Sequence, residues 1–327
     1  MGKNGDAQHE VIWDVRLMEE MDVVIDCHFH VHEMNSILKA WIQAKMQKKS
    51  MWGDITRCIH FMLGGNSSHI HRIVAYTELV ILALDIIDDL EDKDNSAMPW
   101  MQLPHAITLN AAVALLMAVV GEISKLKESN GDLKLPLVGE VNQLLSFAAN
   151  GQHQDICSEV IESEEDYIAL IFAKSAPLMV FACYMGYSCV DQCELSTKDQ
   201  INELACNLAV VAQIQNDIKD LISFNVKHDL INKKRTLPIL YLLTECSQRY
   251  PIFKDYYDGR VSLEPFLEMK EACISFILKS GCVEYSRVIQ GLYLNKVEEI
   301  FNSIPGTTLW KNKFWEVVIA QYRILFV

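Results

Sequence analysis

The sequence predicts an all-α protein, a single-domain helical bundle. Half of its 327 residues are hydrophobic, which is enough for a sizeable core. Only 14 glycines and 8 prolines interrupt the chain, well below the roughly 12% of residues in an average protein, so the apolar segments are long. No Gly/Ser-rich or Pro-rich linker and no repeat of fixed period divides the chain. These features favour one bundle of long helices that binds ligands between facing helices.

The spacing of the apolar residues predicts where the helices lie, with breaks at the polar and glycine-containing stretches between them. The longest apolar run, 107–120, is shorter than a membrane span and is expected to form a buried core helix. The expected helices are 11–25, 33–47, 53–63, 70–92, 106–127, 137–150, 164–187, 197–225, 235–247, 262–279, 283–302 and 310–325.

Charge and cysteine content exclude several classes of protein. The formal net charge of −14 argues against a nucleic-acid partner. The 10 cysteines lack zinc-type paired spacing, so a reduced set of thiols is expected. The chain starts with a polar stretch that does not resemble a secretory signal. A cytoplasmic location is therefore expected.

The most informative segment is the acidic stretch inside residues 78–95. Asp85, Asp88, Asp89 and Asp92 are spaced i, i+3, i+4, i+7, which predicts that a helix carries all four on one face. Carboxylates one turn apart repel each other, so a bound cation is expected to neutralise them. Carboxylate oxygens together with phosphate oxygens suit Mg²⁺. The alternative is a solvated acidic helix end.

A second oxygen-rich segment follows at residues 212–220. Asn216, Asp217 and Asp220 are predicted to share a helical face, with Gln213 one turn earlier. We expect the two acidic helices to face each other across a cavity and to hold Mg²⁺ from both walls. Such cations would stabilise the charge that develops on a diphosphate leaving group. Apolar walls would protect the resulting carbocation from water.

Basic residues that suit a diphosphate are also present. Lys174 lies in a predicted helix, and the basic stretch 233–235 stands directly before another. Gln152 and Asp155 add polar groups three positions apart. The alternative for the lysines is an ordinary surface position, and for Gln152 and Asp155 a capped helix end.

These motifs, taken in order, resemble the class I trans-prenyltransferases, the polyprenyl synthetase family. The family's first aspartate-rich motif, its GQxxD motif, its KT/KS lysine, its second aspartate-rich motif and its DxxxGKxTLP loop all have counterparts within about residues 55–245. The corresponding segments are 85–89, 151–155, 174–175, 212–220 and 229–238.

The resemblance implies the isoprenoid synthase type of fold with a central apolar cavity, Mg²⁺ as cofactor and an allylic prenyl diphosphate as substrate. By analogy with the family it also implies a homodimer. Asp85, Asp89, Asn216 and Asp220 are the expected catalytic residues. The expected Mg²⁺ ligands are Asp85, Asp88, Asp89, Asn216, Asp217 and Asp220. The expected diphosphate-binding residues are Lys174, Lys234, Gln152 and Asp155.

The departures from the family pattern concern the second diphosphate. Chain-elongating members carry GGKRxRP near the start, whereas here Gly64 and Gly65 are followed by 66–68, Asn-Ser-Ser, and the nearest arginine is Arg72. The paired arginines after the first motif are replaced by 93–95, Lys-Asp-Asn. The site for isopentenyl diphosphate is therefore expected to be lost, and the acceptor is not expected to be another isoprenoid diphosphate.

A narrower group, the ComQ-like isoprenyl transferases of Bacillus-type quorum sensing, is similar over most of the chain after about residue 50. Residues 85–95, 99–101, 109–112 and 151–156 carry that similarity. It implies transfer of a geranyl or farnesyl group to a tryptophan of a small pheromone precursor peptide. The first part of the chain is not matched, so we expect an N-terminal helical segment, 1–50, and an isoprenoid-synthase-like domain, 51–327.

Three other functions remain open on the sequence. A terpene cyclase would share the ionisation step, and Asn216 is reminiscent of that class. A short-chain polyprenyl diphosphate synthase is disfavoured by the missing basic pairs. A non-catalytic partner subunit is disfavoured by the retained aspartates and Lys234.

The histidine-rich stretch 24–32 resembles the HxH metal strand of amidohydrolases. In a strand, His28, His30 and His32 would lie on one side. Because such enzymes need a parallel barrel and the remaining sequence predicts helices, the favoured interpretation is three histidines on a mostly exposed segment.

Overall fold

The computed structural model describes residues 3–47, 50–126, 138–157, 161–223 and 229–323. These residues form helices and turns, and no strand occurs among them. The predicted all-α fold class is confirmed. The α-helices of the described residues are α1 (Lys3–His28), α2 (His32–Met46), α3 (Met51–Met62), α4 (Ile70–Asp92), α5 (His105–Leu126), α6 (Val138–Ile156), α7 (Glu164–Lys174), α8 (Ala176–Tyr187), α9 (Leu195–Ser223), α10 (Leu237–Thr244), α11 (Ile252–Tyr257), α12 (Leu263–Glu268), α13 (Lys270–Ser280), α14 (Cys282–Ser303) and α15 (Thr308–Phe314).

The predicted helices agree with the structure where a long periodic pattern of apolar residues is bounded by polar or glycine-containing segments. Helix α4 begins and ends at the expected residues, 70 and 92. The predicted helix 164–187 is instead two helices, because Pro177 has no N–H to continue the backbone ladder and a break falls at Ser175. Helix α11 was not predicted. One end of each of the expected helices 106–127, 137–150, 197–225 and 310–325 lies outside the described residues.

The histidine-rich stretch covers the end of α1, a short break at 29–31 and the start of α2, and it does not form a strand. His28 is the last residue of α1, and His32 is the first residue of α2. The His28 Nε2 atom lies 2.7 Å from Glu122 Oε1 on α5. His28 therefore contributes a polar contact between two helices.

The chain divides into two compact units. The first unit consists of Met1–Ser146, Leu178–Asn202 and Ile304–Val327, and the second of Phe147–Pro177 and Glu203–Ser303. Helix α1 packs against α4 inside the first unit. The predicted boundary at residue 50 stays a prediction.

The core of the first unit is built around α4. Leu79, Val80, Leu82 and Ala83 are all fully buried, so this helix is apolar on every side along its middle. It packs against α1, α3 and α5. Burial on all sides fixes the position of the acidic end of α4 relative to α3.

The second unit has an aromatic core and a polar tie. Phe253, Tyr256 and Phe266 are buried, and the rings of Tyr256 and Phe266 stack at 4.2 Å between centroids. Gln290 on α14 donates from Nε2 to the backbone oxygen of Val211 on α9 at 2.9 Å. The contact with Gln290 holds the second-unit part of α9 in place.

Helices α3 and α8 approach closely inside the first unit. The Thr56 hydroxyl on α3 donates to the backbone oxygen of Ala182 on α8 at 2.8 Å. Gly186 permits this approach, because a Cβ atom there would lie 2.5 Å from the backbone oxygen of Thr56 and 3.1 Å from the Cβ atom of Ile59.

Two helical stretches, His105–Leu126 and Glu164–Tyr187, are long and apolar enough to span a membrane by length and composition alone. The core helices of soluble proteins meet the same criterion. Only 33% of the most apolar window in the first stretch is buried, less than expected for a core helix.

We predict that Gly186→Ala lowers the free energy of unfolding by about 1–3 kcal/mol, because the added methyl group overlaps a backbone carbonyl. Gly121→Ala is the matched control, since it lies inside α5 with open space at the Cβ position. It is expected to raise the free energy of unfolding by about 0.5–1 kcal/mol. Urea unfolding followed by circular dichroism measures both variants, and equal stabilities would contradict the close packing.

Candidate functional site

The first acidic group consists of Asp85, Asp88 and Asp89, near the C-terminal end of α4. Negative charge there is opposed both by the helix macrodipole and by repulsion within the group. This fully described helix ends at Asp92 and has no basic residue in its last turn; Lys93, the residue that follows, has a left-handed conformation. The helix itself therefore does not compensate the charge of the group.

Asp89 is the buried member of the group and is held by two neutral donors. Trp100 donates from Nε1 to its Oδ2 at 2.7 Å, and Asn95 donates from Nδ2 to its Oδ1 at 2.7 Å. Burial raises the pKa of Asp89, the two hydrogen bonds lower it, and the charges of Asp85 and Asp88 raise it further. The net direction is upward, as expected for a carboxylate that lacks a countercharge.

Asp85 has a lysine partner that the sequence did not reveal. Lys45 Nζ on α2 lies 2.6 Å from Asp85 Oδ2, and only 12% of the Lys45 side chain is exposed. The Asp85 side chain is half exposed and remains accessible. Lys45 lies in the N-terminal part of the chain that no motif covered, so the sequence carried no signal for this pair.

A buried glutamate connects α4 to the start of α3. Glu78 accepts from the Ser50 hydroxyl at 2.7 Å and from the Gly53 backbone N–H at 2.5 Å. Burial raises the pKa of Glu78, and nearby Lys45 lowers it. A carboxylate at a helix N-terminus fixes the position of that terminus.

These contacts shape the first-unit cleft, a cavity of about 360 Å³. It combines the carboxylates of the first acidic group with thioether and indole side chains. Its lining residues are Lys45, Ser50, Met51, Trp52, Asp85, Asp88, Asp89, Asn95, Met98 and Trp100.

The second acidic group consists of Asp217, Asp220 and Asp229, in the second unit. Asp217 is buried, and its carboxylate is again held by neutral donors: the Tyr167 hydroxyl at 2.5 Å and Gln213 Nε2 at 2.8 Å. Burial raises the pKa of Asp217 to about 6, with Asp220 adding to the shift. Tyr167 lies seven residues before Lys174, a helical spacing that was an available signal.

Asp229, the first residue of the described segment 229–323, lies beside Asp220. Its backbone N–H donates to Asp220 Oδ2 at 3.2 Å. Burial, followed by the charges of Asp217 and Asp220, raises the pKa of Asp229 to about 8. Asn216, by contrast, is exposed on α9, and Asp220 is half-buried. The carboxylates of Asp217, Asp220 and Asp229 therefore cluster, and the charge of Lys234 offsets part of their repulsion.

The predicted diphosphate-binding residues also lie in the second unit. Lys174 Nζ lies 2.6 Å from Asp155 Oδ2, and Lys234 Nζ lies 3.9 Å from the same oxygen. Gln152 is half-buried on α6, three positions before Asp155. Asp155 thus holds both lysines side by side.

Gly151 permits the approach of α6 to the end of α7. A Cβ atom at Gly151 would overlap the backbone of Ala173 and Lys174. The glycine of the GQxxD motif therefore has a steric role in placing the Lys174 side chain beside Asp155.

Two tyrosine hydroxyls form hydrogen bonds to the backbone of the loop that carries Lys234. Lys234 donates from its backbone N–H to the Asp229 oxygen at 2.8 Å, and Lys233 adopts a left-handed conformation with φ of 57°. The Tyr257 hydroxyl donates to the Lys234 backbone oxygen at 2.8 Å, and the Tyr256 hydroxyl to that of Ile231 at 2.7 Å.

Two adjoining cavities, the second-unit clefts, open beside this loop, with volumes of about 450 and 80 Å³. Thr236 lines the smaller cavity, and its buried hydroxyl has no hydrogen-bond partner in the described part of the chain. Both cavities are lined by Asp155, Ile161, Leu170, Lys234 and Arg235.

The donor chemistry of both acidic groups fits a hard divalent cation, because carboxylate oxygens predominate. Burial, and then the charges of neighbouring aspartates, raises the pKa values of Asp89 and Asp229. Among the described residues of either unit, no three His, Cys, Asp or Glu side chains are grouped tightly enough to hold an ion alone. Phosphate oxygens of a substrate would then have to complete the coordination, the usual manner of Mg²⁺ binding in phosphate sites.

We predict that Asp229→Asn gains stability relative to the unsubstituted chain as pH rises from about 5 to about 8.5, in EDTA. Between the ordinary pKa of 3.8 and the raised value of about 8, the folded chain keeps a proton that the unfolded chain has released. The free energy of unfolding of the unsubstituted chain therefore falls as pH rises through this range. Asparagine does not titrate, so the Asp229→Asn variant lacks this pH-dependent loss of stability. Urea unfolding across this pH range measures the difference, and a difference that does not change with pH would contradict the assignment.

Sequence comparison finds relatives over most of the chain. A protein of Bacillus spizizenii named tryptophan prenyltransferase ComQ is 25% identical over 279 residues, which cover 84% of this chain and 96% of that protein. The protein of the same name from Bacillus subtilis subsp. natto is 27% identical over 300 residues, which cover 91% of this chain and 90% of that one.

Structural comparison agrees on the fold. The crystal structure of a polyprenyl synthase from Caulobacter crescentus, complexed with calcium and isoprenyl diphosphate, is similar with a TM-score of 0.76 at 15% identity, covering 96% of this chain and 94% of that one. The isoprenoid synthase type of all-α fold is thereby confirmed. The profile of the family described as Polyprenyl synthetase matches residues 37–265, which include both acidic groups and both lysines, and the chain belongs to this family of prenyltransferases.

Proposed function

We propose that this protein transfers a geranyl or farnesyl group from its allylic diphosphate to a tryptophan of a small precursor peptide. Two lysines held by one aspartate beside an acidic cluster carry the diphosphate chemistry of the proposal. Similarity to tryptophan prenyltransferases over 84% and 91% of the chain supports the acceptor.

Mg²⁺ is the proposed cofactor. Asp85, Asp88 and Asp89 on α4 are the proposed cation ligands of the first unit, and Asn216, Asp217 and Asp220 on α9 are those of the second. When bound, the cations stabilise the negative charge that develops on the departing diphosphate. The raised pKa values of Asp89 and Asp217 support this role, because burial and nearby carboxylates disfavour their ionised forms and a bound cation would stabilise those forms.

Lys174 and Lys234 are the proposed ligands of the diphosphate oxygens, with Gln152 and Asp155 as their support. Asp155 keeps the two ammonium groups close together before the substrate arrives. Thr236 precedes α10 without capping it, so its hydroxyl and the N-terminal N–H groups of that helix are further donors for an anion.

The acceptor chemistry follows from the electron-rich indole ring. The bond between carbon 1 and oxygen of the donor breaks, and the electron pair leaves with the diphosphate. Indole carbon 3 then forms a bond to carbon 1, and the ring nitrogen releases its proton. The chain has to exclude water from the cation and orient the ring, which is how apolar walls contribute to such reactions.

A homodimer in the cytoplasm completes the proposal. All ten cysteines are free thiols, which supports a reducing compartment. Helix α5 exposes Leu109, Val113 and Met117 at successive four-residue intervals, an apolar stripe that suits pairing with a second copy. Dimers are the usual state in the polyprenyl synthetase family, and the proposal of a dimer rests on that analogy.

We predict that the purified chain, incubated with Mg²⁺, geranyl or farnesyl diphosphate and a tryptophan-containing peptide, adds one isoprenyl group to the tryptophan. Mass spectrometry with peptide fragmentation measures the product. Asp85→Ala or Asn216→Ala is expected to lower turnover by about a hundredfold or more, since each removes a cation ligand. Circular dichroism of both variants should stay helical.

Asp191→Ala and Asn295→Ala are the matched controls, because both residues are exposed and lie outside the clefts. Full activity of Asp85→Ala or Asn216→Ala would remove the metal assignment. A cyclic hydrocarbon formed without peptide would instead identify a terpene cyclase. A longer prenyl diphosphate formed with added isopentenyl diphosphate would identify a chain-elongating synthase.

We also predict that Gly151→Ala lowers kcat/KM for the diphosphate by about a hundredfold, because displacement of the Lys174 backbone misplaces its ammonium group. Gly139→Ala, on the same helix with open space at its Cβ position, is expected to leave kcat/KM unchanged. Steady-state release of diphosphate measures both. Equal rates for the two variants would show that the approach of α6 to α7 does not position Lys174.

A further inference from the structure

We propose that the first-unit cleft binds the acceptor side chain, an uncharged aromatic ring, rather than a second diphosphate. This inference rests on the proposed function and assigns the acceptor to a place on the protein. The cleft has a volume of about 360 Å³, at the lower end of the roughly 300–1,000 Å³ typical of small-molecule sites.

One wall of the cleft is soft and aromatic. Met51, Trp52, Met98 and Trp100 line it. Thioether and indole side chains of this kind make favourable contacts with a further aromatic ring. The same cleft is also lined by Asp85, Asp88 and Asp89. A ring bound in the cleft would therefore lie beside the carboxylates that are proposed to hold the cations.

The aromatic wall is fixed before any ligand arrives. Trp100 is 4% exposed and is held by its hydrogen bond to Asp89. The Met51 sulfur accepts from Gln321 Nε2 at 3.3 Å and from the Tyr322 hydroxyl at 3.6 Å. A preformed wall lowers the entropic cost of binding a rigid ring.

The charges of the two units separate the roles of their clefts. Lys45 is the single cation among the residues that line the first-unit cleft, beside three aspartates, and it is paired with Asp85. The second-unit clefts are lined by four basic residues, Lys174, Lys233, Lys234 and Arg235, and by four aspartates, Asp155, Asp166, Asp217 and Asp229. Acidic and basic side chains therefore balance in the second unit, whereas the first-unit cleft is acidic. An anion meets less repulsion in the second unit, and a neutral ring or a ring flanked by basic residues suits the first.

Arg72, the nearest arginine to Gly64 and Gly65, does not supply an anion site either. Its Nε donates to Glu20 Oε2 at 3.0 Å. A homoallylic diphosphate therefore finds no available guanidinium from this residue, in agreement with the loss of the basic motif in the sequence.

The test uses acetyl-5-fluorotryptophan amide as the probe and fluorine NMR as the readout. Trp52→Ala and Met98→Ala are each expected to weaken probe binding by about tenfold, the scale of a lost contact in an apolar pocket. Trp52→Phe should restore most of the affinity. Met269→Ala, an exposed methionine that lines none of the three clefts, is the matched control and should bind as the unsubstituted chain does. Trp100 is left intact because it also positions Asp89.

Kinetics separate the acceptor subsite from the donor site. Both cleft variants are expected to raise KM for a tryptophan peptide by about tenfold while leaving KM for geranyl diphosphate unchanged. Isopentenyl diphosphate should not displace the probe. Unchanged probe binding in both variants, or displacement of the probe by isopentenyl diphosphate, would overturn the subsite.

The failure of this inference differs from a failure of the proposed function. If tryptophan is prenylated but the cleft variants alter neither probe affinity nor acceptor KM, only the subsite falls. If tryptophan is not prenylated while the probe binds and the variants weaken it, the subsite stands as an aromatic-binding site and the proposed transfer falls.

Discussion

Both acidic groups depend on a buried aspartate that two neutral donors hold in place. Asp89 accepts from the indole of Trp100 and the amide of Asn95, and Asp217 accepts from the phenol of Tyr167 and the amide of Gln213. A neutral donor orients a carboxylate without cancelling its charge, whereas a lysine would do both. The same arrangement of one aromatic and one amide donor in each unit leaves negative charge in a defined place, ready for a cation.

The cations of the chain are distributed in a complementary way. Lys45 neutralises part of the charge at Asp85, and Lys174 and Lys234 share Asp155. The pKa values of Asp89, Asp217 and Asp229 are raised because burial, and then the charges of neighbouring aspartates, oppose ionisation. Anions are thus attracted to the basic loop of the second unit despite the net charge of −14.

Much of this architecture could be predicted from the sequence, because its signals are local. Helix α4 and its aspartates follow from a continuous helical period, and Lys174 and Lys234 follow from family motifs. The donor Trp100 follows the acidic segment beyond the end of α4, where no helical period covers it, so only its tertiary contact shows what it binds, whereas Tyr167 could have been noticed from its helical spacing to Lys174.

The periodic pattern of apolar residues does not predict several other features. Lys45 lies in the unmatched N-terminal part, and its pairing with Asp85 spans forty positions of the chain. The break at Ser175 depends on one proline inside an otherwise continuous apolar run. Asn216 is exposed, although Asp217 next to it is buried. The sequence predicts that both lie in one helix, but it does not show which of them faces the core.

The most direct measurement is anomalous scattering from crystals grown with Mn²⁺ and an unreactive thio analogue of farnesyl diphosphate. The account predicts manganese peaks on the carboxylates of residues 85–89 and on those of residues 217–220, with diphosphate oxygens completing the coordination. Manganese bound elsewhere, with both groups of carboxylates free of metal while the analogue is present, would contradict it.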